Sequence, residues 1–234
     1  VLRFDDVGVL NGTYRVTADM EVGAGGIVGV IGASGSGKST LLEGLAGFLP
    51  LERGRILWRN EAIEDLDPGR RPVAMLFQDG NLFPHLTVAQ NVGLGIRPDL
   101  RLKGDDKAAV EKALDRVGLA GLGPRRPGEL SGGQRSRAAL ARVLVQGRPV
   151  LLLDEPFAAL GPALKAEMLD LVKTLAAERG ALVLMVTHDP GDVVRIADRV
   201  VLVDGGEARA PVQVRELLEA PSEELKAYLG DWAL

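Results

Sequence analysis

The run Gly32-Ala33-Ser34-Gly35-Ser36-Gly37-Lys38-Ser39-Thr40 has the spacing G-x-x-x-x-G-K-[ST], a set of residue types suited to holding a chain of phosphates. Small side chains let consecutive backbone N–H groups turn inward, and a helix starting there adds the partial positive charge of its N-terminus. Lys38 supplies a full charge to the phosphate oxygens, and the Ser39 hydroxyl suits Mg²⁺. A second run, Val150-Leu151-Leu152-Leu153-Asp154-Glu155, is apolar and ends in two carboxylates. Asp154 would hold Mg²⁺ directly or through water, and Glu155 would act as general base on a water attacking the γ-phosphate. Read singly, the first run is a glycine-rich turn with a chance lysine and the second a pair of solvated acids. Read together, they point to nucleotide chemistry.

The elements around these residues must place them at one edge of a sheet. Gly26 to Ile31 is short, apolar and uncharged, as a strand buried on both faces would be. Lys38 to Gly47 has Leu41, Leu42 and Leu45 at helical spacing. Further strands are expected at Leu2–Val7, Tyr14–Met20, Arg55–Trp58, Val73–Phe77, Val150–Leu153, Leu182–Val186 and Arg199–Val203. A helix is expected from Pro162 to about Arg179, with shorter ones at Val212–Ala220 and Ser222–Tyr228. Between Val88 and Gln146 the pattern is mostly helical and broken by Gly and Pro. The whole is an α/β chain: a mostly parallel sheet covered on both faces, with a helical subdomain inserted at about 79–148 into a core formed by 1–78 and 149–234. Ligands of such sheets bind beyond the carboxyl ends of the strands, where both runs lie.

Composition narrows the classes further. With 234 residues and 46% hydrophobic content, the chain can bury a sizeable core. It has no cysteine and only two histidines, which excludes disulfide scaffolds and argues against a multi-histidine metal site. A net charge of −4 argues against a nucleic-acid partner. Arg135, Arg137, Arg142 and Arg148 are accordingly expected on a solvated helix face. No stretch reaches the ~18 apolar residues a membrane span needs, and the opening residues do not read as a signal peptide. A cytoplasmic location is expected. The phosphate loop and the paired carboxylates imply a P-loop nucleoside triphosphatase; with no Asn-Lys-x-Asp run for guanine, ATP is the expected nucleotide.

Leu130-Ser131-Gly132-Gly133-Gln134 opens the strongest helix of the middle region. With it, the chain resembles the ATP-binding subunits of ABC transporters over nearly its whole length. The phosphate loop, Gln78 after a strand, Leu130 to Gln134, Asp154-Glu155 and His188 after a strand stand in the family's order. Ser131 and the amides of Gly132 and Gly133, at a helix N-terminus, suit a second anion site, with Ser131 also a cap. The resemblance implies a RecA-like core with an antiparallel N-terminal β region. It implies a homodimer in the ATP-bound state, each Ser131–Gln134 turn closing the other copy's ATP. It also implies that His188 contacts the γ-phosphate and orients Glu155, and that Gln78 meets Mg²⁺ and the attacking water. Two positions depart from the family. Gly161 stands where a carboxylate usually bonds across the dimer, and Val9 and Leu10 stand where an aromatic residue usually stacks on adenine. Tyr14 is either that stacking residue or a core residue of its strand.

The stretch Phe77 to Val92 looks like the part of bacterial importers that grips a permease, with Leu82, Phe83 and Pro84 either exposed for that contact or packed inside the helical subdomain, and His85 at the surface. Arg70 to Gln78, Val92 to Gly95 and Pro127 to Ser131 resemble ATP-binding subunits of thiamine importers. This implies a peripheral protein on the cytoplasmic side of a bacterial inner membrane. Its partners would be integral membrane permease subunits and, indirectly, a periplasmic solute-binding protein. The implied solute is thiamine; iron, polyamine, sulfate or sugar import, or a soluble non-transport ATPase of the family, are the alternatives.

Overall fold

A computed structural model describes residues 1–219. Five strands carry the parallel part of the sheet, the first four being β3 (Gly26–Ile31), β6 (Val73–Leu76), β7 (Val150–Asp154) and β8 (Leu182–Val186). They lie in the order β3-β8-β7-β6, every neighbouring pair parallel. All five residues of β7 and of β8 are buried, which is why these runs show no polar alternation. β9 (Arg199–Asp204) pairs in parallel with β3 on the other side. The two-residue β10 (Glu207–Ala208) then joins β9 to an antiparallel layer. That layer comprises β1 (Leu2–Asn11), β2 (Tyr14–Val22), β4 (Leu51–Trp58) and β5 (Glu61–Ala62).

β1 is longer than its sequence suggests because its register shifts between Phe4 and Val7, where Asp6 takes a φ of 50°. The shift leaves Val7, Gly8 and Val9 buried in succession and breaks the alternation. β4 likewise extends four residues upstream of Arg55, through mostly exposed positions. The chain near Val212 differs from expectation too. Val212–Gln213 is a short strand, β11, paired with β9, and only Val214–Glu219 is helical. The helix expected at Ser222–Tyr228 lies outside the described residues.

The sheet separates two cores. Val150, Leu152, Leu182, Leu184 and Val186 point to one face, where they meet Leu41, Leu42 and Leu45 of α1 (Lys38–Ala46) and the antiparallel layer. Leu151, Leu153, Val183 and Met185 point to the other. There they pack with α2 (Val88–Gly93), α3 (Gly104–Arg116), α4 (Gly132–Leu144) and α5 (Pro162–Arg179). The helices α2 to α4 all fall between β6 and β7 in chain order. α6 (Pro190–Ile196) follows β8.

The end of α1 is tied down by Arg71, only 3% exposed. Its guanidinium donates to the carbonyls of Gly44 and Leu45 at 2.9 Å each, to Leu66 at 2.9 Å and to Glu64 at 2.5 Å. Burial lowers its pKa from the usual arginine value, with Glu64 and Asp65 opposing. An orphaned buried carbonyl costs ~1–3 kcal/mol. Arg71→Leu is therefore expected to reduce unfolding stability by about 3 kcal/mol in urea titrations. A loss under about 0.5 kcal/mol, the range of an ordinary surface substitution, would contradict this role.

Candidate functional site

The phosphate loop turns between the end of β3 and the start of α1. Gly37 caps α1 at a φ of 99°, and a Cβ there would collide with Val16 and come within 3.0 Å of the Tyr14 ring. Only glycine lets the helix start this close to β2. Lys38 begins the helix at 6% exposure, and its ammonium donates to the carbonyls of Gly32 at 2.9 Å and Ala33 at 2.8 Å. Burial lowers its pKa from the usual lysine value, against the opposing charges of Glu155 and Asp154. Tyr14, Ser34, Gly35, Gly37, Lys38, Ser39, Thr40, Glu155 and His188 line one open cleft of about 530 Å³. Tyr14 is 40% exposed, so it is not a core residue of its strand but part of the cleft wall.

The carboxylates sit where β7 ends. Asp154 is 8% exposed and accepts a hydrogen bond from the Ser39 hydroxyl at 3.1 Å. Burial pushes its pKa above the usual carboxylate value; the Ser39 bond opposes that, Glu155 adds to it, and Lys38 opposes it. Glu155 follows in the left-handed region, at a φ of 43°, with its N–H donating to the Val186 carbonyl at 3.1 Å. Such a conformation costs a non-glycine residue ~1–3 kcal/mol. Its carboxylate lies 3.2 Å from His188 Nδ1. The fold thus brings Glu155 and His188 together across 33 residues of sequence.

The Ser131–Gln134 turn forms a complete reciprocal cap. Ser131 Oγ accepts from the Gln134 N–H at 3.3 Å, and Gln134 Oε1 accepts from the Ser131 N–H at 3.0 Å. Ser131 and Gly132 are exposed at the start of the 13-residue α4. The structure does not bring this turn to the phosphate cleft. Gly132 lines a separate cavity with Gln78, Arg135, Ala158 and Leu160. Gln78 therefore sits beside the Gly132 turn, while Gly32 to Thr40, Asp154, Glu155 and His188 gather at the strand ends.

A third face surrounds Asn91, which is fully buried. Its side chain accepts from the Phe83 N–H at 2.7 Å and donates to the carbonyls of Phe83, Leu86 and Thr87 at 3.0, 3.3 and 3.0 Å. The loop so held exposes Phe83, at 47%, together with Pro84 and His85, whereas Leu82 packs against the helical core. Nearby, Ala89, Leu114, Gly123 and Pro124 line a groove of about 720 Å³.

The arginines after Ser131 are only in part a solvated face: Arg135 is exposed, whereas Arg137, Arg142 and Arg148 are half-buried. Arg135 donates to the Leu130 carbonyl, Arg137 to Val117 and Arg148 to Gly69. Arg142 donates to Asn81 and Gly80 at 2.6 and 2.7 Å, and burial lowers its pKa. Sequence reasoning missed these because loop carbonyls leave no mark in side-chain pattern. Arg142 ties the loop after Gln78 to the helix that Ser131 caps.

The comparisons with known proteins agree with this arrangement. The ABC transporter family matches residues 17–158. The thiamine import ATP-binding protein ThiQ of Ruegeria sp. (strain TM1040) is 58% identical over 98% of this chain and 100% of its own length. The protein of the same name from Cereibacter sphaeroides is 57% identical with the same coverage. Among solved structures, the dimeric ATP-binding cassette MJ0796 in a post-hydrolysis state, bound to ADP and Pi, superposes with a TM-score of 0.79 at 28% identity, over 92% of this chain and 99% of that one. A second dimeric structure of the same bacterial ABC transporter cassette gives 0.80. A family match across more than half the chain, relatives alike from end to end, and a cassette of the same fold agree with the phosphate loop and paired carboxylates: the chain belongs to the ABC transporter family, as one of its ATP-binding, ATP-hydrolysing cassettes.

Proposed function

We propose that this chain powers thiamine import into a bacterial cell, working as a head-to-tail dimer beneath a membrane permease. Glu155 poised 3.2 Å from His188 in the cleft of Lys38 carries the catalytic reading. The end-to-end identity to two proteins named for thiamine import supports the solute.

ATP lies with its phosphates on the amides of Gly32 to Thr40 and on Lys38. Ser39 and Asp154 are hard oxygen donors that fit Mg²⁺ and would hold it together with phosphate oxygens. Gln78 joins them when the helical subdomain, about 79–148, closes on the core. Mg²⁺, when bound, neutralises charge on the phosphate oxygens. Glu155 accepts the proton of a water attacking the γ-phosphorus as the bond to ADP breaks, and His188 holds Glu155 and that phosphate in place. Ser131, Gly132, Gly133 and Gln134 of the second copy close over the γ-phosphate, so its departure removes the ligand the two copies share. The place of Gly132 in a cavity apart from the phosphate cleft supports closure by another copy. The exposed Phe83, Pro84 and His85, with the groove beside them, receive the permease on the cytoplasmic side of the membrane; the periplasmic solute-binding protein acts from the far side.

Tyr14 is the adenine's neighbour on the cleft wall. Aromatic stacking is worth ~0.5–1.5 kcal/mol, so Tyr14→Ala should weaken ATP binding roughly 2- to 10-fold in equilibrium titrations. Unchanged affinity would remove Tyr14 from the site. The solute is tested by reconstituting the chain with its permease and binding protein in vesicles. ATP-driven uptake of labelled thiamine, lost in Glu155→Gln, is expected. Uptake of a sugar, sulfate, a polyamine or iron instead would overturn the thiamine reading alone.

A further inference from the structure

His188 stands on the short loop between β8 and α6. Its neighbours are held by one cation from another element. Lys165, in the first turn of α5, has a side chain only 17% exposed and lies 2.7 Å from both Asp189 Oδ2 and Asp192 Oδ1. Asp192 is itself buried, with 9% side-chain exposure, and accepts from the Thr187 hydroxyl at 2.6 Å. That hydroxyl accepts in turn from the Asp189 N–H at 3.1 Å, and Asp189 Oδ1 takes the Gly191 N–H at 2.9 Å. The residues on either side of His188 are therefore locked into one network, to which Lys165 supplies the ammonium. The residue before Lys165 faces elsewhere: Leu164 packs on Gly133, where a Cβ would collide with it. Adjacent side chains of α5 thus touch the turn that addresses the other copy's nucleotide and the loop that addresses this copy's own.

We propose that Lys165 is a positioning residue for His188, fixing the imidazole against Glu155 and tying it to the Ser131–Gly133 turn through the first turn of α5. Without that charge, two carboxylates face each other beside the catalytic loop, one of them buried, and the loop must open to separate or hydrate them. The inference rests on the assignment of Glu155 and His188 to the γ-phosphate. A displacement of about 1 Å in a catalytic constellation can cost up to ~100-fold in rate.

The purified full chain provides the test. Lys165→Met should lower kcat for ATP hydrolysis about tenfold with KM unchanged, and Lys165→Arg should restore most of the rate. The chain has only two histidines, so the imidazole resonances of His85 and His188 are separable by NMR. Lys165→Met should shift or broaden those of His188 and leave those of His85 in place. A kcat within twofold of the parent, or unmoved His188 resonances, overturns the proposal. Should Lys165→Met fold poorly, Asp189→Asn breaks the same pair from its exposed end and must give the same two readouts. His188→Ala separates the levels. Turnover lost there but kept in Lys165→Met overturns only the role of Lys165, whereas turnover kept in His188→Ala overturns the site assignment beneath it.

Discussion

Glu155→Gln is expected to abolish steady-state ATP hydrolysis, with kcat falling about 10²- to 10⁴-fold, the range a positioned general base supplies. ATP affinity should stay within a few-fold, because the phosphates are held by the Gly32–Thr40 loop and Lys38 and not by this carboxylate. Glutamine keeps the size of the side chain and cannot take the proton of the attacking water. The proposed role as base rests on the contact of Glu155 with His188 at the end of its strand. Asp154 is instead hydrogen-bonded to Ser39 and is the proposed Mg²⁺ ligand. With hydrolysis blocked and ATP bound, the two copies should accumulate as a dimer, visible by light scattering. Normal turnover in this variant would remove Glu155 from its role.

Lys38→Ala should give the second large effect, on binding. Truncating one partner of a desolvated, hydrogen-bonded charge pair costs ~2–5 kcal/mol, or about 30-fold and upward in the Kd for ATP. Part of this loss comes through the loop itself, since the ammonium also bridges the Gly32 and Ala33 carbonyls. A titration by calorimetry would read it directly. Unchanged affinity would contradict the assignment of the loop to phosphates.

The parts of the site legible in the sequence are those whose chemistry is contiguous. The phosphate loop and the Ser131–Gln134 cap each form through neighbours within a few residues, and Asp154-Glu155 stands out as adjacent acids closing an apolar run, although their partners Ser39 and His188 lie 115 and 33 residues away. The buried strands were legible for a related reason: β7 and β8 are apolar throughout because both faces are covered. Contacts that bring distant positions together left no such mark. Lys165 meets Asp189 across 24 residues, and Arg71 reaches back 27 to Gly44. A lone Lys or Arg on a helix or before a strand reads as solvated until the carbonyl or carboxylate facing it is known. The two-residue strands β5, β10 and β11 are too short to carry any periodicity, and their positions follow from the edges they complete. Tyr14 required the fold to decide, because a half-exposed strand aromatic and a core one look alike in sequence.

In the proposed dimer the terminal phosphate is held from two sides by two copies of the chain. A crystal structure of Glu155→Gln grown with ATP and Mg²⁺ tests this. One triphosphate is expected at each of two interfaces, its γ-phosphate touched by Lys38 of one protomer and by the Ser131–Gly133 turn of the second copy. A triphosphate fully enclosed by one protomer, with that turn left facing solvent, would contradict it.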